Sequence, residues 1–161
     1  MLFSLTVSAQ ATDSRDDSAN SDIVIDIVED FLTAYLKNSY LYTDESFDEL
    51  TILSISEEEA KETIDYAGKT ITRSDLNKNI DFIKDKNTYW QNVRKAQDIY
   101  RTDFNIDYHV QNIEVTKSYA TVAVSAMMSF KYTDSAEVSY KEDLFVVNLI
   151  DVTGRWVVVD A

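Results

Sequence analysis

At 161 residues, with 45% hydrophobic content that includes ten Tyr, seven Phe and two Trp, the chain carries enough apolar mass for one core, so its formal net charge of −14 does not signal disorder. That charge repels phosphates and anionic headgroups, which argues against nucleic acid and membrane-surface partners. Zero cysteines exclude disulfides, thiolate catalysis and sulfur-ligated zinc within it.

The amino end reads as processing. Leu2-Phe3-Ser4-Leu5-Thr6-Val7 is a short apolar run, and Ser8-Ala9-Gln10-Ala11 places small residues at the third and first positions before a cut after Ala11. That is the end of a secretory signal peptide without its positive leading region, so residues 1–11 are expected to be a signal remnant and the product to be exported. Residues 12–21 are small, polar and charged and read as a flexible leader, leaving Asp22 to Ala161 as the folded domain. No later run approaches the length of apolar chain that a membrane span needs, so no membrane insertion of the mature form is expected.

Asn20 or Ser21 can cap a helix running to about Asn38. Its apolar face is written in two rows, Ile23, Ile27, Phe31, Tyr35 and Val24, Val28, Leu32, Leu36. Ser46 to Leu53 reads as an irregular link. Ser56-Glu57-Glu58-Glu59 matches a capping box, which predicts a second, short helix closed by Gly68. From Ser74, Leu76, Ile80, Ile83, Trp90, Val93, Gln97 and Tyr100 keep a helical rhythm, predicting one long helix with Lys86-Asn87-Thr88 as its candidate break.

The period then changes to two. Phe104, Ile106, Tyr108 and Val110 alternate with Asn105, Asp107, His109 and Gln111; the apolar parity slips at Ile113 and Val115, which predicts a β-bulge near Gln111-Asn112. Ala120 to Tyr132 and Val138 to Val152 read as long strands, and Thr153-Gly154-Arg155 as a tight reversal into Trp156-Val157-Val158-Val159. Three hairpins after helices predict an α+β fold with N-terminal helices packed into a curved antiparallel sheet. The expected inward residues are Phe104, Ile106, Tyr108, Val110, Val122, Val124, Ala126, Met128, Phe130, Leu144, Val146 and Ile150, with Glu142 at the rim.

The leading amphipathic helix, the later helices, and the closing strand Gly154-Arg155-Trp156-Val157-Val158-Val159-Asp160 together resemble the nuclear transport factor 2-like superfamily over Asp22 to Ala161. Within it, Tyr89-Trp90 to Tyr108 followed by Val115-Thr116-Lys117-Ser118-Tyr119-Ala120-Thr121-Val122 is similar to domains that precede an amidase module in secreted proteins of Gram-positive bacteria. The resemblance implies a cone-like sheet that holds a small ligand, a catalytic site or only side chains. It also implies dimerisation through the outer sheet face. Phe145, Val147 and Leu149 beside Ser125, Met127 and Ser129 are expected to form that face and to support a homodimer.

The candidate chemistry is sparse. Tyr35, Trp90, Tyr108, Met128 and Phe130 are the expected pocket residues, with Tyr35 and Tyr108 offering hydroxyls; no catalytic residue is assigned. His109, the only His, shares a face with Asp107 but lacks further ligands, so no metal site is expected. The runs Asp44-Glu45 and Glu57-Glu58-Glu59 lack calcium-loop spacing, and there is neither a G-x-S-x-G elbow nor a glycine-rich phosphate loop, so no cofactor is expected. The expected function is that of a non-catalytic interaction or ligand-holding domain of the cell envelope. The alternatives are a small isomerase- or cyclase-like cone enzyme, and an accessory domain ahead of an amidase.

Overall fold

The computed structural model describes residues 14–60, 64–66 and 68–161. Helix α1 (Ser14–Leu41) is followed by two single turns of 3-10 helix and a hairpin of β1 (Ile64–Tyr66) and β2 (Lys69–Ile71). Helix α2 (Arg73–Ala96) then leads to β3 (Arg101–Val115), β4 (Tyr119–Tyr132), β5 (Val138–Val152) and β6 (Arg155–Asp160), an antiparallel meander in that spatial order. The class is α+β, two helices against a curved four-stranded sheet. The expected cleavage site lies outside the described residues.

Two differences from the sequence reading concern the helices. Residues 14–21, read as a flexible leader, belong to α1. Extending an already anchored helix adds one hydrogen bond per residue fixed and needs no new nucleus, so a polar stretch without Gly or Pro can continue it. Ser56-Glu59 does form a capping box, with Ser56 N and Oγ donating to Glu59 at 2.8 and 2.7 Å and Glu59 N donating to Ser56 Oγ at 3.3 Å. Yet a single turn follows rather than the expected second helix, and Gly68, at φ +72°, sits in the β1–β2 hairpin and not at a helix end. A cap satisfies terminal N–H groups; propagation also needs an apolar stripe to bury, which Glu57, Glu58 and Glu59 do not supply. Thr72 and Asp75 make the same box, and there α2 does follow, because Leu76, Ile80 and Ile83 are buried behind it.

Helix α1 buries Val24, Val28, Phe31, Leu32, Leu36 and Tyr40 on one stripe. It ends where Tyr42 turns to φ +60°, and three side chains from beyond it satisfy carbonyls of its last turn. Gln91 donates to Asn38 O at 3.0 Å, Arg94 to Ser39 O at 3.2 Å and Arg101 to Tyr40 O at 3.4 Å. Helix α2 runs unbroken through Lys86-Asn87-Thr88. Asn87, 6% exposed, donates to Tyr35 O at 2.8 Å and so ties the two helices together. The helix stops at Ala96, so Gln97 and Tyr100 lie past its end.

The sheet register carries the expected bulge between Val110 and Asn112, and a second one between Thr102 and Asn105, where Asp103 takes φ +51°. On β4, Val122, Val124, Ala126, Met128 and Phe130 are buried as expected. On β5 the expected parity is wrong for Leu144 and Val146, which are 68% and 49% exposed on the outer face. Val124 pairs with Phe145, Val122 with Val147 and Ala120 with Leu149, so the odd row faces the helices as far as Leu149, and Ile150, just past the register shift with β6, is buried as expected. It follows that Phe145, Val147 and Leu149 are not outer-face residues, and that Glu142 faces outward, where it accepts from Ser125 Oγ. Both rows of β5 are apolar near its middle, so alternation alone could not choose the face.

Candidate functional site

The concave side of the sheet is filled. Val28, Phe31 and Leu32 from α1 pack with Val122, Val124, Val147 and Leu149, and Leu36 and Tyr40 pack with Ala126, Met128 and Phe130. At the rim, a groove of about 350 Å³ lies between the C-terminal half of α1, the second half of α2 and β5. Tyr35, Tyr40, Trp90 and Phe145 give it aromatic walls; Lys86, Arg94, Lys141 and Asp143 give it charge.

Tyr40 organises this end. Its ring lies 5.8 Å from Phe104 and 6.3 Å from Phe130, centroid to centroid, and is 3% exposed. Three cations gather on it: Arg94 at 4.4 Å from the ring centroid, Arg101 at 4.8 Å and Lys141 at 5.1 Å. Its hydroxyl accepts from Lys141 Nζ and donates to Asp143 Oδ2 at 3.2 Å, and Lys141 pairs with the same carboxylate at 3.2 Å. Burial pulls the Lys141 pKa down, but the Tyr40 hydroxyl and the Asp143 charge outweigh it and hold the ammonium above its ordinary value. Lys141 is therefore a fixed cation at neutral pH and not a proton acceptor. Arg94 is held by Ser39 Oγ at 2.5 Å as well as by Ser39 O.

The expected pocket residues divide. Tyr35 and Trp90 line the groove, Trp90 being 43% exposed. Burial raises the Tyr35 hydroxyl pKa, so it stays a neutral donor. Met128 and Phe130, 1% and 3% exposed, stand behind Tyr40 as packing. Tyr108 is half-buried against the helices and shares a 2.9 Å hydrogen bond with Thr33. Burial pushes its pKa up to about 12, with the charges of Glu29 and Asp30 adding to the rise. His109 and Asp107 are exposed on the outer face. Among the described residues no three His, Asp or Glu side chains gather to hold a metal.

Sequence reasoning missed Tyr40, Arg94, Lys141 and Asp143. The alternating row Lys141, Asp143, Phe145, Val147 and Leu149 is visible in the sequence, but the face it takes is set by the register of β5 with β4, which local pattern does not fix. No protein-family model, curated protein or solved structure matches the chain in comparison.

Proposed function

We propose that this chain is a non-catalytic binding domain that holds a small molecule at the rim of its sheet, in the groove bordered by Tyr35, Tyr40 and Trp90. The observation that carries the reading is Trp90, a large aromatic left 43% exposed beside a cleft while the other tryptophan, Trp156, is 7% exposed in the core. Small-molecule clefts run from roughly 300 Å³ upward and combine apolar walls with a few placed polar groups, a description this groove meets at its lower end. The isomerase- or cyclase-like alternative asks for a titratable group deep in the cone. That volume is taken by Val28, Phe31, Leu32 and Met128, which favours binding over catalysis. A fragment screen followed by ¹⁵N NMR is the test. Hits are expected to move the Tyr35, Trp90, Arg94 and Asp143 resonances, and hits confined to the outer sheet face would overturn the reading.

The element order and the helix-filled concave meander support membership of the nuclear transport factor 2-like superfamily as a working assignment. Export as an accessory domain of the cell envelope rests on the Ser8-Ala9-Gln10-Ala11 site, and N-terminal sequencing of a secreted product beginning at Thr12 would support it. A second reading, self-association through the outer sheet face, is favoured by Leu144, Val146 and Met127, which are 68%, 49% and 42% exposed there. Light scattering is expected to give a dimer mass that Leu144→Glu halves; a monomer at all concentrations sinks that reading.

A further inference from the structure

Taking the rim groove as a binding site, we infer that it selects organic anions, namely monocarboxylates carried on a flat apolar body. The groove presents three cations, Lys86, Arg94 and Lys141, against the single carboxylate of Asp143, within a chain of formal net charge −14. A concave patch of the minority sign focuses its field inward, and its low-dielectric walls strengthen it. The surplus of cations over carboxylates in the groove runs against the sign of the chain as a whole, so an anion meets a local attraction there that the net charge does not offer.

The ordinary structural roles of these groups do not exhaust them. Capping the carbonyl end of α1 accounts for Arg101 and for Nη1 of Arg94, which donates to Ser39. It leaves the other guanidinium nitrogens of Arg94 without a hydrogen bond among the described residues, and Lys86 without any partner there. Arg94 is also held between two rings, its guanidinium carbon 4.4 Å from the Tyr40 ring centroid and 5.7 Å from that of Trp90, so its fork is positioned before a ligand arrives. Lys141 is neutralised locally by Asp143. The charge left over is that of Lys86 and Arg94, two cations for one ligand, and a carboxylate matches the Arg fork through two parallel hydrogen bonds. The Tyr35, Trp90 and Phe145 rings would lie against the flat body of such a molecule.

A matched series separates charge from shape: indole-3-acetate, indole-3-acetamide and tryptamine, each titrated into the ¹⁵N-labelled full chain, with the Trp90 indole N–H as reporter. The acetate is expected to bind at least about tenfold more tightly than the amide, a difference of about 1.4 kcal/mol, and the amine to bind most weakly. Raising salt from about 0.05 to 0.5 M should shrink the gap between acetate and amide, and Lys86→Gln, on an exposed helix face where folding is undisturbed, should narrow it at low salt. Equal binding of acetate and amide would overturn the anion inference while leaving the groove a binding site. Failure of all three to move the groove resonances would overturn both.

Discussion

Toward its N-terminus α1 sets Val24, Val28, Phe31 and Leu32 against Val122, Val124, Val147 and Leu149, all of them apolar and all at most 1% exposed. Toward its C-terminus the same helical stripe sets Leu36 and Tyr40 against Met128 and Phe130, and there Arg94, Arg101, Lys141 and Asp143 crowd onto one ring. One helix and one sheet thus meet in two chemistries. The first end is dry and closes on itself, so its contribution is stability. The second needs Arg94 from α2 and Arg101 from β3 to satisfy a helix terminus and a β5 pair to satisfy the Tyr40 hydroxyl, and Arg94, Lys141 and Asp143 border open space. The difference shows how a fold with a filled interior can still offer a site: the polar groups that finish a helix are also the ones a ligand can reach.

The division can be broken from either side. Phe31→Ala, at the dry end, is expected to cost about 3–5 kcal/mol of unfolding free energy by urea titration, because it removes a fully buried ring that contacts Phe47 and Tyr35. A loss below about 1 kcal/mol would show that the dry end does not secure the fold. At the other end, Arg94→Met keeps most of the packing volume but removes the bonds to Ser39 and the contact with Tyr40. It should cost about 1–2 kcal/mol and abolish preference for the carboxylate probe.

Tyr108 lies between the two ends, and its hydroxyl titrates at about 12 in the folded chain against an ordinary value near 10. The folded state holds that proton more tightly than the unfolded one. The associated stability is therefore complete below about pH 10 and is lost as pH rises toward 12. Burial raises Tyr66 to about 12 as well, so the wild-type urea midpoint should fall steeply across that window. Tyr108→Phe should begin slightly less stable and fall less steeply; an unchanged slope would place the titration elsewhere. The smallest expected effect belongs to α2, the helix that carries Lys86, Trp90 and Arg94. Thr72→Ala should cost about 1 kcal/mol, and Ser56→Ala, in a box that starts no helix, clearly less.

Local chemistry was enough for much of this molecule. The Val24, Val28, Leu32, Leu36 row, the change of period at Phe104, the bulge at Gln111-Asn112 and the Gly154 reversal are all short-range patterns, and each appears where the residues indicate. They determine an α+β chain with a terminal antiparallel meander. Tertiary structure decided the rest. Whether a capping box becomes a helix depends on what its next turns can bury, which separates Ser56 from Thr72. Which row of β5 faces the helices depends on its register with β4, since Phe145 and Leu144 are equally apolar in sequence. The groove followed from that register, because a shift by one residue turns Lys141 and Asp143 from the outer face onto Tyr40, a residue more than a hundred positions away by hydrogen bond and invisible to any local pattern.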